Sequence, residues 1–196
     1  MPGKLQELVL QVVVKVLGGA IEPTPAWLMR PGCIECGKRW PLICSIYRHL
    51  TYQALPEEMP TNEGRRVDCV LRVANHAPRI IEVDERQHFN HYRAATLRLY
   101  PPDIRLAFDR KMWIEHSEAK ATLEAGGWGT PKPPLFPGDG GRHRQRAFRD
   151  ALCDILPPDY GFLPTLRLAD FEVDGWLIAN DVCKRMKDLL DCKFSN

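Results

Sequence analysis

Arg66-Val67-Asp68-Cys69-Val70-Leu71-Arg72-Val73 and Pro78-Arg79-Ile80-Ile81-Glu82-Val83-Asp84-Glu85, separated by Ala74-Asn75-His76-Ala77, read as two β-strands. Both runs are rich in β-branched residues, and the turn-forming Asn75-His76-Ala77-Pro78 between them predicts an antiparallel hairpin. Side chains alternate faces along a strand, so Glu82 and Asp84 share one face while Ile81 and Val83 point to the other. On the first strand Val67, Cys69 and Leu71 form one face, leaving Asp68 with Val70 and Arg72 on the opposite one. If Val73 pairs with Arg79, Asp68 lies opposite Asp84; a two-residue shift sets it against Glu82. All three carboxylates converge in either register, and a one-residue slip would scatter them.

Like charges directly opposed across a sheet are destabilising. The apolar run Ile80-Ile81-x-Val83 predicts a central strand, where acids are costly without a partner. Compensation comes from a raised pKa, a basic neighbour or a divalent cation. Oxygen donors without thiolates favour Mg²⁺ or Mn²⁺ over Zn²⁺, and such an ion suits phosphodiester hydrolysis. The competing reading is an exposed acidic strand face paired with Arg66, Arg72 or Arg79.

Outward from the hairpin, residues 5–17 read as a buried helix ended by Gly18-Gly19, with a strand as the alternative that Val12, Val13 and Val14 leave open. Pro41 starts an amphipathic helix carrying Leu42, Ile43, Ile46, Tyr47 and Leu50. After the hairpin, Phe89, Tyr92, Thr96 and Leu99 mark the inner face of a helix over 87–100, stopped by Pro101-Pro102. Residues 104–114 contain a further strand, and 126–141, rich in Gly and Pro, form a surface loop or small lid. A basic helix over 142–156, a strand near 166–173 and a final helix over 178–190 complete the chain. The fold class expected is mixed α/β, a central mixed sheet flanked by helices. Residues 1–60 form a Cys-bearing helical extension and 61–196 the core with the basic and final helices.

The chain has 196 residues, 44% hydrophobic and 27% charged, with a formal net charge of +2. That near-neutrality requires any nucleic-acid binding to come from clustered basic residues. Seven cysteines, an odd number set partly in apolar stretches, suit a reducing, cytoplasmic setting better than a secreted disulfide scaffold. The apolar run 8–17 is too short to span a bilayer, so no membrane partner is expected.

Asp68 followed by Ile81-Glu82-Val83-Asp84-Glu85-Arg86-Gln87-His88 resembles the PD-(D/E)XK nuclease superfamily, in the variant whose second half-motif reads E-x-D-x-x-Q-H. The resemblance spans about residues 65–114. It implies a restriction-endonuclease-like fold and a Mg²⁺- or Mn²⁺-dependent DNA endonuclease of restriction, defence or repair type. By position Asp68 and Glu82 would hold the metal, with Asp84 beside them where the superfamily most often has lysine. Water activation then falls to Asp84, to His88 or to a metal-bound hydroxide, with Gln87 positioning water or substrate. Many such enzymes cut as homodimers; the sequence leaves the oligomeric state open.

Two other features carry chemistry. Cys33-x-x-Cys36-Gly37-Lys38 is half of a structural zinc knuckle, and two plain thiols fit it equally. Arg142, Arg146 and Arg149 recur at helical spacing beside His143 and Arg144, a stripe suited to phosphates or to a solvated helix face. Arg93 and Arg98 are further candidate phosphate contacts. The rival functions are a nuclease-like nucleic-acid-binding module without catalysis and a zinc-stabilised interaction protein. An HNH-type zinc nuclease lacks its histidine–asparagine–histidine order.

Overall fold

The structure, a computed structural model, describes residues 3–119 and 129–195. Its centre is a four-stranded mixed sheet in the order β1 (Ala20–Glu22), β2 (Cys69–Arg72), β3 (Arg79–Asp84), β4 (Leu163–Ala169). β1 and β3 each pair antiparallel with β2, and β4 lies parallel to β3. The hairpin register is Cys69↔Ile81, Val70↔Ile80 and Leu71↔Arg79. Continued by one residue, it sets Asp68 opposite Glu82, the second of the two registers the alternation allowed.

The alternation then sorts the sheet's two faces. Cys69, Leu71, Ile81, Val83, Leu166 and Leu168 pack against Val9 and Val13 of α1 (Lys4–Leu17). Met186 and Leu190 of the final helix join the same cluster. Val70 and Ile80 face the other way, into a cluster with Ile43, Ile46 and Tyr47 of α2 (Trp40–Thr51). Leu28 of the N-terminal segment and Phe148 of the basic helix belong to that second cluster. β3 is buried along nearly its whole length, as a central strand covered by helices on both faces requires. No helix among the described residues is long and apolar enough to cross a membrane.

Several boundaries differ from the sequence reading. The helix expected over 87–100 is instead a 3₁₀ turn, Arg86–His88, followed by α3 (His91–Arg98). Asn90 causes the break: its Oδ1 accepts from the Tyr92 and Arg93 amides at 3.1 and 3.3 Å, the arrangement of an N-cap. The strand expected within 104–114 reduces to one bridge, Ala107 to Leu166. Asp109 accepts from the Met112 amide at 3.0 Å, and α4 (Arg110–Ala119) carries Trp113 inward.

The basic helix is α5 (Gly141–Ile155). The last strand ends at Ala169, before a single turn, Asp170–Val173, and the final helix is α6 (Val182–Phe194). Of the loop or lid over 126–141, residues 126–128 lie outside the described residues. The remainder is anchored: Leu135 and Phe136 are buried, and the Tyr47 hydroxyl donates to the Leu135 carbonyl at 2.6 Å. Gly141 abuts this segment so closely that a Cβ there would come within 2.3 Å of the Phe136 carbonyl oxygen. Hinging this segment as a lid would uncover two core side chains, so it is part of the core's wall.

Candidate active site

Three neighbouring chain positions across the sheet create the site. Asp68 precedes β2, Glu82 sits opposite it on β3, and Arg167 pairs with Glu82 from β4. All three stand on the face covered by α5, which contributes Asp150, Cys153 and Asp154. The Asp68–Glu82 end opens into a cleft of about 350 Å³. Its walls carry Arg65, Arg66, Arg142, Arg146 and Arg149, with His88 and Asp150 beside the carboxylates. Acids at the floor and guanidiniums around the rim bring both signs of charge to one opening.

Each floor carboxylate has one oxygen held. Asp68 Oδ2 accepts from the Val83 amide at 2.8 Å, and Glu82 Oε1 accepts from Cys153 Sγ at 3.4 Å. Burial raises the Glu82 pKa well above the usual carboxylate range, and Asp68 pushes it further, against the pull of Arg167 and Arg65. Burial also raises Asp68, opposed by its bond from Val83 and by His88. Two facing carboxylates held in this state are best relieved by a cation between them. Their remaining oxygens are hard donors of the kind Mg²⁺ and Mn²⁺ select. Asp68 and Glu82 thus offer a divalent ion two hard carboxylate donors; among the described residues no third His, Cys, Asp or Glu closes around the pair, so waters or substrate oxygens would complete its shell.

Asp84, named with them from the sequence, is placed differently. It is fully buried, with Oδ1 bonded to Arg167 Nη1 at 2.7 Å and Oδ2 accepting from Trp113 Nε1 at 2.8 Å. Arg167 also bonds Asp154 through Nε at 2.7 Å, and its Nη2 donates to the Asp150 carbonyl at 3.1 Å. Asp154 in turn accepts from Arg93 Nη2 and the Tyr100 hydroxyl, each at 2.8 Å. Arg167 and Arg93 thus bond Asp84, Asp150 and Asp154, Arg146 lies within electrostatic reach of Asp150 and Asp84, and His88 faces the same carboxylates. His88 Nδ1 lies 3.1 Å from Asp150 Oδ2 and 3.5 Å from Asp84 Oδ1. Burial alone would raise Asp150, but His88 and Arg167 outweigh it and hold this carboxyl below its ordinary range. Candidate ligand atoms of Asp84, His88 and Asp150 lie within 4.8 Å of one another. Arg167 already bonds both acids, so a dication there would meet a guanidinium at ion-pair distance. Asp84 is an internal counter-ion in this arrangement.

Comparisons with known protein families, curated proteins and solved structures find no match. Geometry and chemistry are thus the grounds on which the site is read.

The other sequence candidates divide. Gln87 reaches the cleft on the 3₁₀ turn, with its amide bonded to Glu85 Oε2 at 2.8 Å. Arg142 and Arg146 line the cleft, and Arg149 does so while paired to Glu63 at 3.0 Å. Arg144 points elsewhere, donating to the Pro137 carbonyl at 2.6 Å and lying over the Tyr92 ring. Arg98 is exposed on α3 and pairs with Glu118. Arg93 cannot meet a phosphate, because it is wholly buried against Asp154.

Cys33 and Cys36 end a single helical turn, Cys33–Cys36, as free thiols. Burial pushes the Cys36 thiol up to about 12. Among the described residues no further ligands close around this pair at a distance that would share an ion. Arg72, one proposed partner for the acids, pairs with Glu22 instead, and Arg79 donates to the Pro164 carbonyl.

Arg65, Asp150, Cys153 and Arg167 escaped the sequence reading. Asp150 alone had a usable signal, since it follows Arg142 and Arg146 at intervals of two turns and one turn on the same helix face. Arg167 had none: an arginine between Leu166 and Leu168 reads as the exposed side of a strand.

Proposed function

We propose that the chain is a divalent-metal-dependent endonuclease acting on DNA, built on a restriction-endonuclease-like sheet. The observation that supports this most is the pairing of Asp68 with Glu82 at the floor of an arginine-lined cleft. Held by Asp68 and Glu82, a Mg²⁺ or Mn²⁺ ion would supply charge to the phosphoryl oxygens and acidify a water. Arg66 and Arg142 neutralise the phosphates entering the cleft. Arg66 is exposed and has no ion pair among the described residues, and the Arg142 guanidinium donates to the neutral Gln145 Oε1, at 2.6 Å. His88, whose Nδ1 lies 3.1 Å from Asp150 Oδ2, lines the cleft and is the residue we assign to proton transfer, the part left vacant by the absent lysine. Asp150 positions that ring, and Arg167 positions Asp150.

Purified protein incubated with plasmid DNA should cleave it in the presence of Mg²⁺ or Mn²⁺. Asp68→Ala and Glu82→Ala should each lower the rate by about a thousandfold, since a lost metal site forfeits several kcal/mol of transition-state stabilisation. Full activity in either variant would remove the proposed metal site. A second reading has one observation in its favour: the position of the usual lysine is an aspartate bonded to Arg167. A nucleic-acid-binding module without catalysis is the result if DNA binds and stays intact.

Binding has its own signature. Arg142→Ala and Arg66→Ala should each lessen the slope of log affinity against log salt by about 0.7–0.9, one phosphate contact apiece. Arg98→Ala should leave the slope unchanged, because that residue lies away from the cleft. Fluorescence anisotropy across a salt series measures both. Equal slopes in all three variants would place the phosphate path elsewhere.

A further inference from the structure

Arg79 opens β3, at the opposite end of that strand from Glu82 and Asp84. The register sets it between Leu71 of β2 and Leu163 of β4. An open hollow of about 360 Å³ lies there, walled by Leu17, Leu71, Val73, Ile81, Leu163 and Phe194. His76 and Arg79 are the polar side chains of that lining, and no acid among the described residues joins them. A second hollow of about 490 Å³ shares Arg79, Leu163 and Phe194 and adds Arg105 and Lys193, again without an acid. Lys193 has a counter-ion, Glu172 at 2.6 Å. Arg79 has none among the described residues. Its guanidinium lies over the Phe194 ring, 4.3 Å from the centroid, and Nη1 donates to the Pro164 carbonyl at 3.2 Å. Burial pushes this guanidinium down to about 10, with no acid opposing the shift.

A cation withdrawn from water without a counter-charge is costly, and an arriving anion recovers that cost. The planar guanidinium fork matches a carboxylate in particular. The walls decide the rest of the occupant. They are aliphatic apart from Phe194, and His76 is their one other polar side chain, so a peptide strand seated there would leave its amides unpaired. The occupant that fits has one anionic end and an apolar remainder. At about 30 Å³ for each water-sized group, the hollow holds about ten to twelve of them, the length of a medium aliphatic chain. We infer that this hollow binds a medium-chain aliphatic carboxylate, its head on Arg79 and its tail against Leu71, Val73, Ile81 and Leu163. The site is separate from the arginine-lined cleft and stands whether or not the chain cuts DNA.

Isothermal titration calorimetry of the full chain with octanoate, octanol and acetate tests the assignment. Octanoate should bind at least about tenfold more tightly than either of the others, the scale of one charge-assisted pair added to a buried chain. Arg79→Met should weaken octanoate about tenfold or more and leave octanol within about twofold of the parent. Ala77→Glu, at an exposed position of the same lining, gives the hollow an acid and should weaken octanoate in the same way. Octanoate should raise the unfolding midpoint of the parent and leave that of Ala77→Glu unmoved. Octanol binding as tightly as octanoate would reduce the hollow to an unselective apolar cavity and overturn the inference. Acetate binding as tightly would overturn it from the other side, leaving an anion contact without a seat for the chain. Absence of octanoate binding, or unchanged octanoate affinity in Ala77→Glu, would overturn it as well, and the latter decides the matter even if Arg79→Met does not fold.

Discussion

Arg167→Met should be the most damaging single substitution in this fold, with a loss of about 3–5 kcal/mol, the usual cost of removing one partner from a buried ion pair. For a chain of this size that corresponds to a fall in unfolding midpoint of about 6–20 °C. Arg167 is fully buried and its guanidinium bonds Asp84, Asp154 and the Asp150 carbonyl. Methionine fills much of the volume but takes the bonded guanidinium away from Asp84 and one of two from Asp154. Arg167→Lys should rescue little, because one ammonium cannot reproduce a fork that reaches three partners. Asp84→Asn should be milder than either. It keeps an oxygen for Trp113 Nε1 and the side-chain volume, and the cost is the Arg167 bond alone, where an NH2 replaces the accepting oxygen. Thermal unfolding of the three variants orders them, and an Arg167→Met midpoint within a degree or two of the parent would show that the network contributes little.

The second large effect concerns Glu82 and has the opposite sign. Its carboxyl pKa is raised well above the ordinary value, by burial first and then by Asp68. A raised carboxyl in the folded state means that the native protein holds a proton the unfolded chain has released. Stability from this group is therefore complete below the unfolded carboxylate pKa, about 4.3, and is lost as pH rises through the raised native value. The loss is at most about 1.4 kcal/mol per pH unit. Glu82→Gln should match the parent near pH 4 and be increasingly the more stable of the two toward pH 8. Asp150 is shifted in the opposite sense, but it is present in both proteins and cancels in the difference. Adding Mn²⁺ at pH 8 should raise the midpoint of the parent and leave that of Glu82→Gln unmoved. Stability curves that stay parallel across this range, with no response to Mn²⁺ in the parent, would mean that Glu82 neither carries the strain nor holds the ion.

The two experiments separate roles that the sequence had merged. Asp84 and Glu82 alternate onto one face of one strand, and from the sequence they are equivalent. In the fold their surroundings diverge: Glu82 opens toward Arg142 and Arg146, whereas Asp84 lies under Trp113 and against Arg167. Arg93 shows the same limit from the other side. It stands on a polar helix between Tyr92 and Ala94, where an outward direction is the natural expectation, yet it is drawn inward by Asp154 and Tyr100 from elements far away in the chain.

Local chemistry settled a good deal of this protein. The hairpin, the shared face of Asp68 and Glu82, the basic helix with Ala147, Phe148, Ala151 and Leu152 turned inward, and the N-terminal helix all follow from periodicity and turn residues within short windows. Tertiary packing decided the rest. It chose the register that faces Asp68 with Glu82, brought Arg167 beside β3 through a parallel pairing, and set Asp150 against His88. The last two depend on contacts between residues more than sixty positions apart, whose energies are fixed by burial and by charge left without water, and neither quantity is a property of a short stretch of chain.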